Sequence, residues 1–224
     1  MLKLIYLKIK RGIYNIVAFF GWKYNLKMYD KDFFLSNQEE GLKIYEWFVP
    51  LLHNIFKFQS IVDFGCATGS SLFYALKQGV SDVLGIEGSP EAFSNLLIDK
   101  KYIIQHDLRE PLKVDRKYDI ALSIEVAEHI NKKYTDIYLE SMCNSSDLII
   151  FTGATPNQGG KCHINEQSHE WWIQKFREHS FGLDEKMTGL LKRKIKENIK
   201  AGKFTAFWLV PNIMVFRRER ENNI

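Results

Sequence analysis

The chain has few cysteines, and the three present, Cys66, Cys143 and Cys162, include no C-x-x-C pair. Such an odd, sparse set argues against a thiolate zinc site and for reduced thiols in a cytoplasmic setting. Acidic residues are missing from the start, where the first is Asp30. Residues 1–28 instead interleave Lys3, Lys8, Lys10, Arg11, Lys23 and Lys27 with aliphatic and aromatic side chains. Their longest uncharged stretch, Gly12 to Trp22, is too short to span a bilayer, and the small-residue cleavage site of a signal peptide is missing. Two readings remain for this segment: a helix packed on the domain with snorkelling lysines, or a peripheral contact with the inner membrane surface. No internal repeat and no low-complexity tract interrupts the chain.

What is present suits a full core. Apolar residues make up 46% of the 224, aromatic residues 14%, and the net charge is only +4. The expected division is an N-terminal helical extension or cap over 1–58, a main domain over 59–219 and a tail over 220–224. Residues 32–58 carry an apolar stripe at helical spacing that Pro50 is expected to break or kink. From Ser60 onward, short apolar runs at 60–64, 82–86, 101–105, 118–123 and 147–152 alternate with helical segments at 69–79, 90–98, 132–144 and 167–179. A basic amphipathic helix over 186–200 and a strand over 212–216 follow. The pattern predicts an α/β fold with a mostly parallel sheet covered by helices on both faces.

The segment Ile61-Val62-Asp63-Phe64-Gly65-Cys66-Ala67-Thr68-Gly69 holds the most information. An apolar strand ends in an acid and enters a turn of small residues that opens a helix, a construction that brings backbone close to a nucleotide-like ligand. The dinucleotide fingerprint fails, because Gly65, Ala67 and Ser70 occupy its three glycine positions. The spacing Asp63-x-Gly65-x-Ala67-x-Gly69 instead resembles the first motif of the class I S-adenosylmethionine-dependent methyltransferases, with alanine for the middle glycine. That resemblance implies a Rossmann-like seven-stranded sheet whose last strand is antiparallel.

Ligands in open α/β sheets sit beyond the carboxyl ends of the strands. The cofactor set expected there is Asp63, Gly65, Cys66 and Gly69 after the first strand, Glu87 and Gly88 after the second, Asp107 and Leu108 after the third, and Ile124 after the fourth. Glu87 is suited to a ribose diol, Asp107 to the adenine amino group and the Leu108 amide to a ring nitrogen. Cys66 is there for its size, with no thiol chemistry.

A second cluster follows the fourth strand. If 123–130 begins a helix, Glu125, Glu128 and His129 share one face, and His163 lies in the loop after the fifth strand. The segment Glu125-Val126-Ala127-Glu128-His129 resembles the Glu-x-x-Glu-His of small-RNA 2′-O-methyltransferases and of ubiquinone-pathway O-methyltransferases. A wider resemblance, from about Tyr29 onward, is to a bacterial type of methyltransferase often encoded with surface-glycan enzymes. It rests on Ser123–His129, Pro156–Glu166 and Pro211–Phe216; Asn157 and Pro211 depart from that pattern.

These likenesses imply Glu125, Glu128, His129 and His163 as ligands of Mg²⁺ or Mn²⁺. The residues alone leave two alternatives, a metal-free base at His129 or His163 and a structural role. The expected activity is O-methylation of a sugar, glycan or other small hydroxylated acceptor. RNA 2′-O-methylation, supported by the basic runs Lys192–Lys203 and Arg217–Arg220, and a non-catalytic cofactor-binding scaffold are the competing readings.

Overall fold

The computed structural model describes residue 29, residues 31–202 and residues 207–219. The N-terminal basic segment and the tail over 220–224 lie outside the described residues, as does part of each basic run singled out above.

The chain order is α1 (Lys31–Phe56), β1 (Ser60–Phe64), α2 (Ser70–Lys77), β2 (Asp82–Glu87), β3 (Ile103–Gln105), β4 (Ile120–Ser123), α3 (Thr135–Ser145), β5 (Leu148–Phe151), α4 (His169–Glu178), β6 (Phe181–Leu183), α5 (Glu185–Lys200), α6 (Leu209–Asn212) and β7 (Met214–Arg218). The seven strands form one sheet in the order β3-β2-β1-β4-β5-β7-β6. Strands β1 to β5 pair in parallel, and β7 runs antiparallel to both β5 and β6.

Alternation along each strand makes two cores. Ile61, Ile120, Leu122, Ile150 and Val215 face one side, where α1 contributes Phe48, Val49 and Leu52, α2 contributes Leu72, and α5 contributes Leu191 and Ile195. Val62, Phe64, Ala121, Ile149, Phe151 and Phe216 face the other, against Tyr138, Leu139 and Met142 of α3 and Trp172 and Phe176 of α4. Burial on both faces explains why the strands read as continuous apolar runs. No helix among the described residues is long and apolar enough to cross a membrane.

Two local expectations need correction. Pro50 lies inside α1, which continues unbroken from Lys31 to Phe56. The completely buried Phe48, Val49 and Leu52 beside it hold the helix together against a local penalty of about 3 kcal/mol. Residues 90–95 form a 3-10 turn in place of the expected longer α-helix.

The strand order reverses between β1 and β4, which opens a crevice at their carboxyl ends. Gly65, Cys66, Glu87, Gly88, Leu108 and Ile124 line it.

Candidate active site

The β1–α2 turn is built for close approach. Gly65 has φ +79°, and a Cβ there would stand 2.5 Å from a methyl group of Val126. Ala67 also adopts the left-handed region, at φ 49°, where the family pattern more often has glycine. The Glu87 carboxylate ties the turn to β2: one oxygen accepts the Ala67 N–H at 2.9 Å and the other the Ser89 N–H at 2.7 Å. Each oxygen keeps a lone pair for a further donor. Burial raises the Glu87 carboxyl above its ordinary range.

Two adjoining cavities follow from this frame. The smaller, about 140 Å³, is bounded by Glu87, Gly88 and Leu108 on the strand ends and by Phe33 and Phe34 of α1. The larger, about 380 Å³, takes in Cys66, Thr68, Ile124, Tyr45, His163 and Trp208. Gly65, Ala67, Glu125, Val126 and His129 line both, so the two spaces form one cleft.

Asp63 and Gly69 stand behind the lining. Asp63 is 3% exposed and hydrogen-bonded to the Ser71 hydroxyl; burial pushes its carboxyl up to about 7. Gly69, at φ 85°, is the N-cap of α2. Asp107 is also absent from the lining. Its carboxylate accepts the Arg109 backbone N–H at 3.0 Å and Nε at 2.8 Å, and it pairs with the guanidinium Nη2. The sequence position that suggested a free adenine acceptor therefore carries a local ion pair, formed two residues along the chain.

The helix over 123–130 that would put Glu125, Glu128 and His129 on one face does not form. Glu125 adopts φ 54° and donates its N–H to Thr152 Oγ1 at 2.7 Å, and only Ala127–His129 make a 3-10 turn. Glu125 consequently stays beside the Glu128 carboxyl but outside the group of ligand atoms that converge on one point. Its Oε1 accepts Asn212 Nδ2 at 3.1 Å and its Oε2 accepts Gln158 Nε2 at 3.1 Å.

Glu128, His129 and His163 do converge, with one ligand atom from each lying within 4.8 Å of the others. Glu128 is fully buried, and neither carboxyl oxygen makes a hydrogen bond of full geometry among the described residues, although the Glu125 carboxyl and the backbone N–H groups of Glu128 and Ala154 lie close by. Burial and then the nearby Glu125 raise this carboxyl well above its usual range. His163 Nε2 lies 3.9 Å from Glu128 Oε1.

The imidazole of His129 is neutral at physiological pH, because burial and then His163 lower it to about 3. Its Nδ1 lies 3.3 Å from the Cys162 carbonyl, which can only accept, so Nδ1 carries the proton and Nε2 offers its lone pair. The Tyr29 hydroxyl sits 3.2 Å from the same Nδ1.

Loop 155–166 is clamped to hold His163 there. The Ile164 and Asn165 N–H groups donate to the Glu128 carbonyl at 2.9 and 3.0 Å. Glu166 accepts the Asn157 and Gly159 N–H groups at 2.9 and 2.7 Å. A Cβ on Gly160 would fall 2.1 Å from His163 Nε2, so the imidazole occupies space that only glycine leaves. Gln158, Gly160, Asn165 and Asn212 are contributors that residue-by-residue reading did not single out, although the likeness had drawn the segments containing them together.

A protein-family model described as a methyltransferase domain matches residues 36–187. A search of curated proteins returned no relative. Among solved structures, the methyltransferase domain of bacterial CtHen1-C superposes with a TM-score of 0.53 at 16% identity, covering 80% of this chain and 98% of that one. The methyltransferase domain of bacterial CtHen1-CN gives a TM-score of 0.50 at 18% identity, covering 64% and 88%. At these identities the structural likeness speaks for the fold alone, a Rossmann-like methyltransferase sheet.

Proposed function

The chain belongs to the methyltransferase-domain family and is an enzyme of methyl transfer, and from that premise we propose that its donor is S-adenosylmethionine and its acceptor a hydroxyl of a sugar, glycan or other small molecule, with help from a divalent cation. The observation that carries the second half is the convergence of the completely buried Glu128 carboxyl, which makes no hydrogen bond of full geometry among the described residues, with two imidazoles. Leaving such a group unsatisfied costs about 1–3 kcal/mol or more, which a cation would offset.

The residues fit both groups. Glu87 would accept the donor's ribose hydroxyls, while Gly65 lets the backbone approach and Leu108 closes the adenosine end. Glu128, His129 through Nε2 and His163 would hold the cation. Mixed carboxylate and imidazole donors suit Mg²⁺ less well than Mn²⁺ or Fe²⁺. When bound, the donor supplies an electrophilic methyl group and the cation makes the acceptor hydroxyl more acidic. The chain itself fixes the histidine tautomer through the Cys162 carbonyl, narrows the cleft with Phe33 and Trp208, and aligns the acceptor for in-line displacement.

Transfer of labelled methyl from S-adenosylmethionine should be screened over sugar, lipid-linked and RNA acceptors, with and without chelator. Chelation is expected to abolish transfer and Mn²⁺ to restore it; Glu128→Gln should lose about 100-fold or more. Transfer that survives chelation and this substitution would overturn the metal role. The same cluster also suits a ribose diol, which favours RNA 2′-O-methylation as the second reading. Oligonucleotide binding that is absent across a salt series would remove it.

A further inference from the structure

The donor's amino-acid end carries an ammonium beside the sulfonium, and a carboxylate should answer that charge. Asp63 does not: it lies behind the cleft wall and is engaged by Ser71. Glu87 lines only the smaller cavity, at the expected ribose position, and Glu40 lines only the larger one from the exposed surface of α1. Glu125 alone among the described carboxylates borders both cavities, next to Gly65 and Ala67.

We propose that Glu125 is the counter-charge for the α-ammonium of the methyl donor's zwitterionic amino-acid end, and not a fourth ligand of the Glu128–His129–His163 cluster. The inference rests on the reading that S-adenosylmethionine is the donor. Three features support it. The backbone of Glu125 sits in the left-handed region, at φ 54°, which for a residue other than glycine is held only by surrounding structure. Thr152 Oγ1 provides part of that hold through the Glu125 N–H.

The carboxylate is also gripped at both oxygens, Oε1 by Asn212 and Oε2 by Gln158. The two amides are themselves joined, since Asn212 Nδ2 donates to Gln158 Oε1 at 2.9 Å. Asn212 is fully buried at the end of α6, just before β7, so this frame is fixed from the protein interior. Finally, each Glu125 oxygen accepts one amide and, even with the Glu128 carboxyl beside it, the carboxylate retains capacity for a further donor from a ligand in the cleft. Gln158 and Asn212 are thereby positioning residues.

Two ligands separate this role from others. S-adenosylhomocysteine carries the ammonium; 5′-methylthioadenosine keeps the adenosine and thioether but lacks the amino-acid end. By calorimetry on the full chain, Glu125→Gln should weaken S-adenosylhomocysteine about 10- to 100-fold, the range for a lost charge-assisted hydrogen bond, and change 5′-methylthioadenosine less than about threefold. Gln158→Ala, on a half-buried loop residue, should show the same selectivity at about 3- to 10-fold. Mn²⁺ affinity should be unchanged in both.

Equal losses for the two adenosine ligands, or none for either, would overturn the assignment. Loss of Mn²⁺ binding with S-adenosylhomocysteine unaffected would also overturn it and return Glu125 to the metal cluster. Wild-type protein that binds neither adenosine ligand would overturn the donor reading itself, a result distinct from failure at Glu125.

Discussion

At the scale of single residues, the site depends on atoms that are missing as much as on those present. Gly160 is the clearest case, because a methyl group there would overlap His163 Nε2. Gly160 is exposed on a loop and adds nothing to the core. Gly160→Ala should therefore leave global stability within about 1 kcal/mol while costing about 10- to 100-fold in Mn²⁺ affinity, as displaced supporting groups around metals do. Chemical denaturation and metal titration on the same variant check both halves; an unaltered metal affinity would mean that His163 is not a ligand. Side-chain identities at strand ends were legible in the sequence because the fold brings every parallel strand's carboxyl end to one crevice. Their partners were not. Glu125 meets Gln158 and Asn212 across 33 and 87 residues, while Asp107 meets Arg109 two residues away, and residue types alone do not distinguish those outcomes.

At the scale of elements, periodicity located nearly every strand and helix, and missed where backbone conformation overrode it. The short β6, with a glycine at its centre, has too few residues to show alternation. The 123–130 segment reads as helical by spacing, yet a left-handed Glu125 held by Thr152 ends the strand in an irregular loop. Proline in α1 erred in the opposite direction, since packing outweighed a local preference. That gives a measurable consequence. Pro50→Ala restores a backbone donor within a helix already fixed by Phe48, Val49 and Leu52, and should stabilise the protein by about 1–2 kcal/mol after the lost rigidity of the unfolded chain is discounted. Urea unfolding would report it as a higher midpoint at an unchanged slope. A lower midpoint would show that the proline shapes the α1 surface against the sheet.

For the whole molecule, placing carboxyls at the crevice makes stability depend on pH in an unusual direction. The Asp63 carboxyl is pushed up to about 7 in the folded chain from an ordinary 3.8, because burial penalises its charged form more than the Ser71 hydroxyl favours it. Between those values the folded state holds a proton that the unfolded state has released. Stability therefore declines as pH rises through this window, with a slope of up to about 1.4 kcal/mol per pH unit and a total of about 4 kcal/mol, and levels off above the folded value. Glu87 is shifted in the same direction by burial, so it adds to the trend. Salt-bridged surface acids such as Asp147, lowered by Lys117 and Arg218, act oppositely at more acidic pH, and the buried imidazoles of His129 and His169, lowered by desolvation, act oppositely up to their unfolded value near 6.5. Across pH 5 to pH 8 the stability difference between wild type and Asp63→Asn, whose amide still meets Ser71 without a charge to bury, should thus shift against the wild type as pH rises, which separates Asp63 from the histidines common to both. A variant that keeps the full pH dependence of the wild type would show that Asp63 is charged in the folded molecule. The crevice would then hold a standing negative charge behind its first turn, and the burden of answering the donor's cation would no longer fall on Glu125 alone.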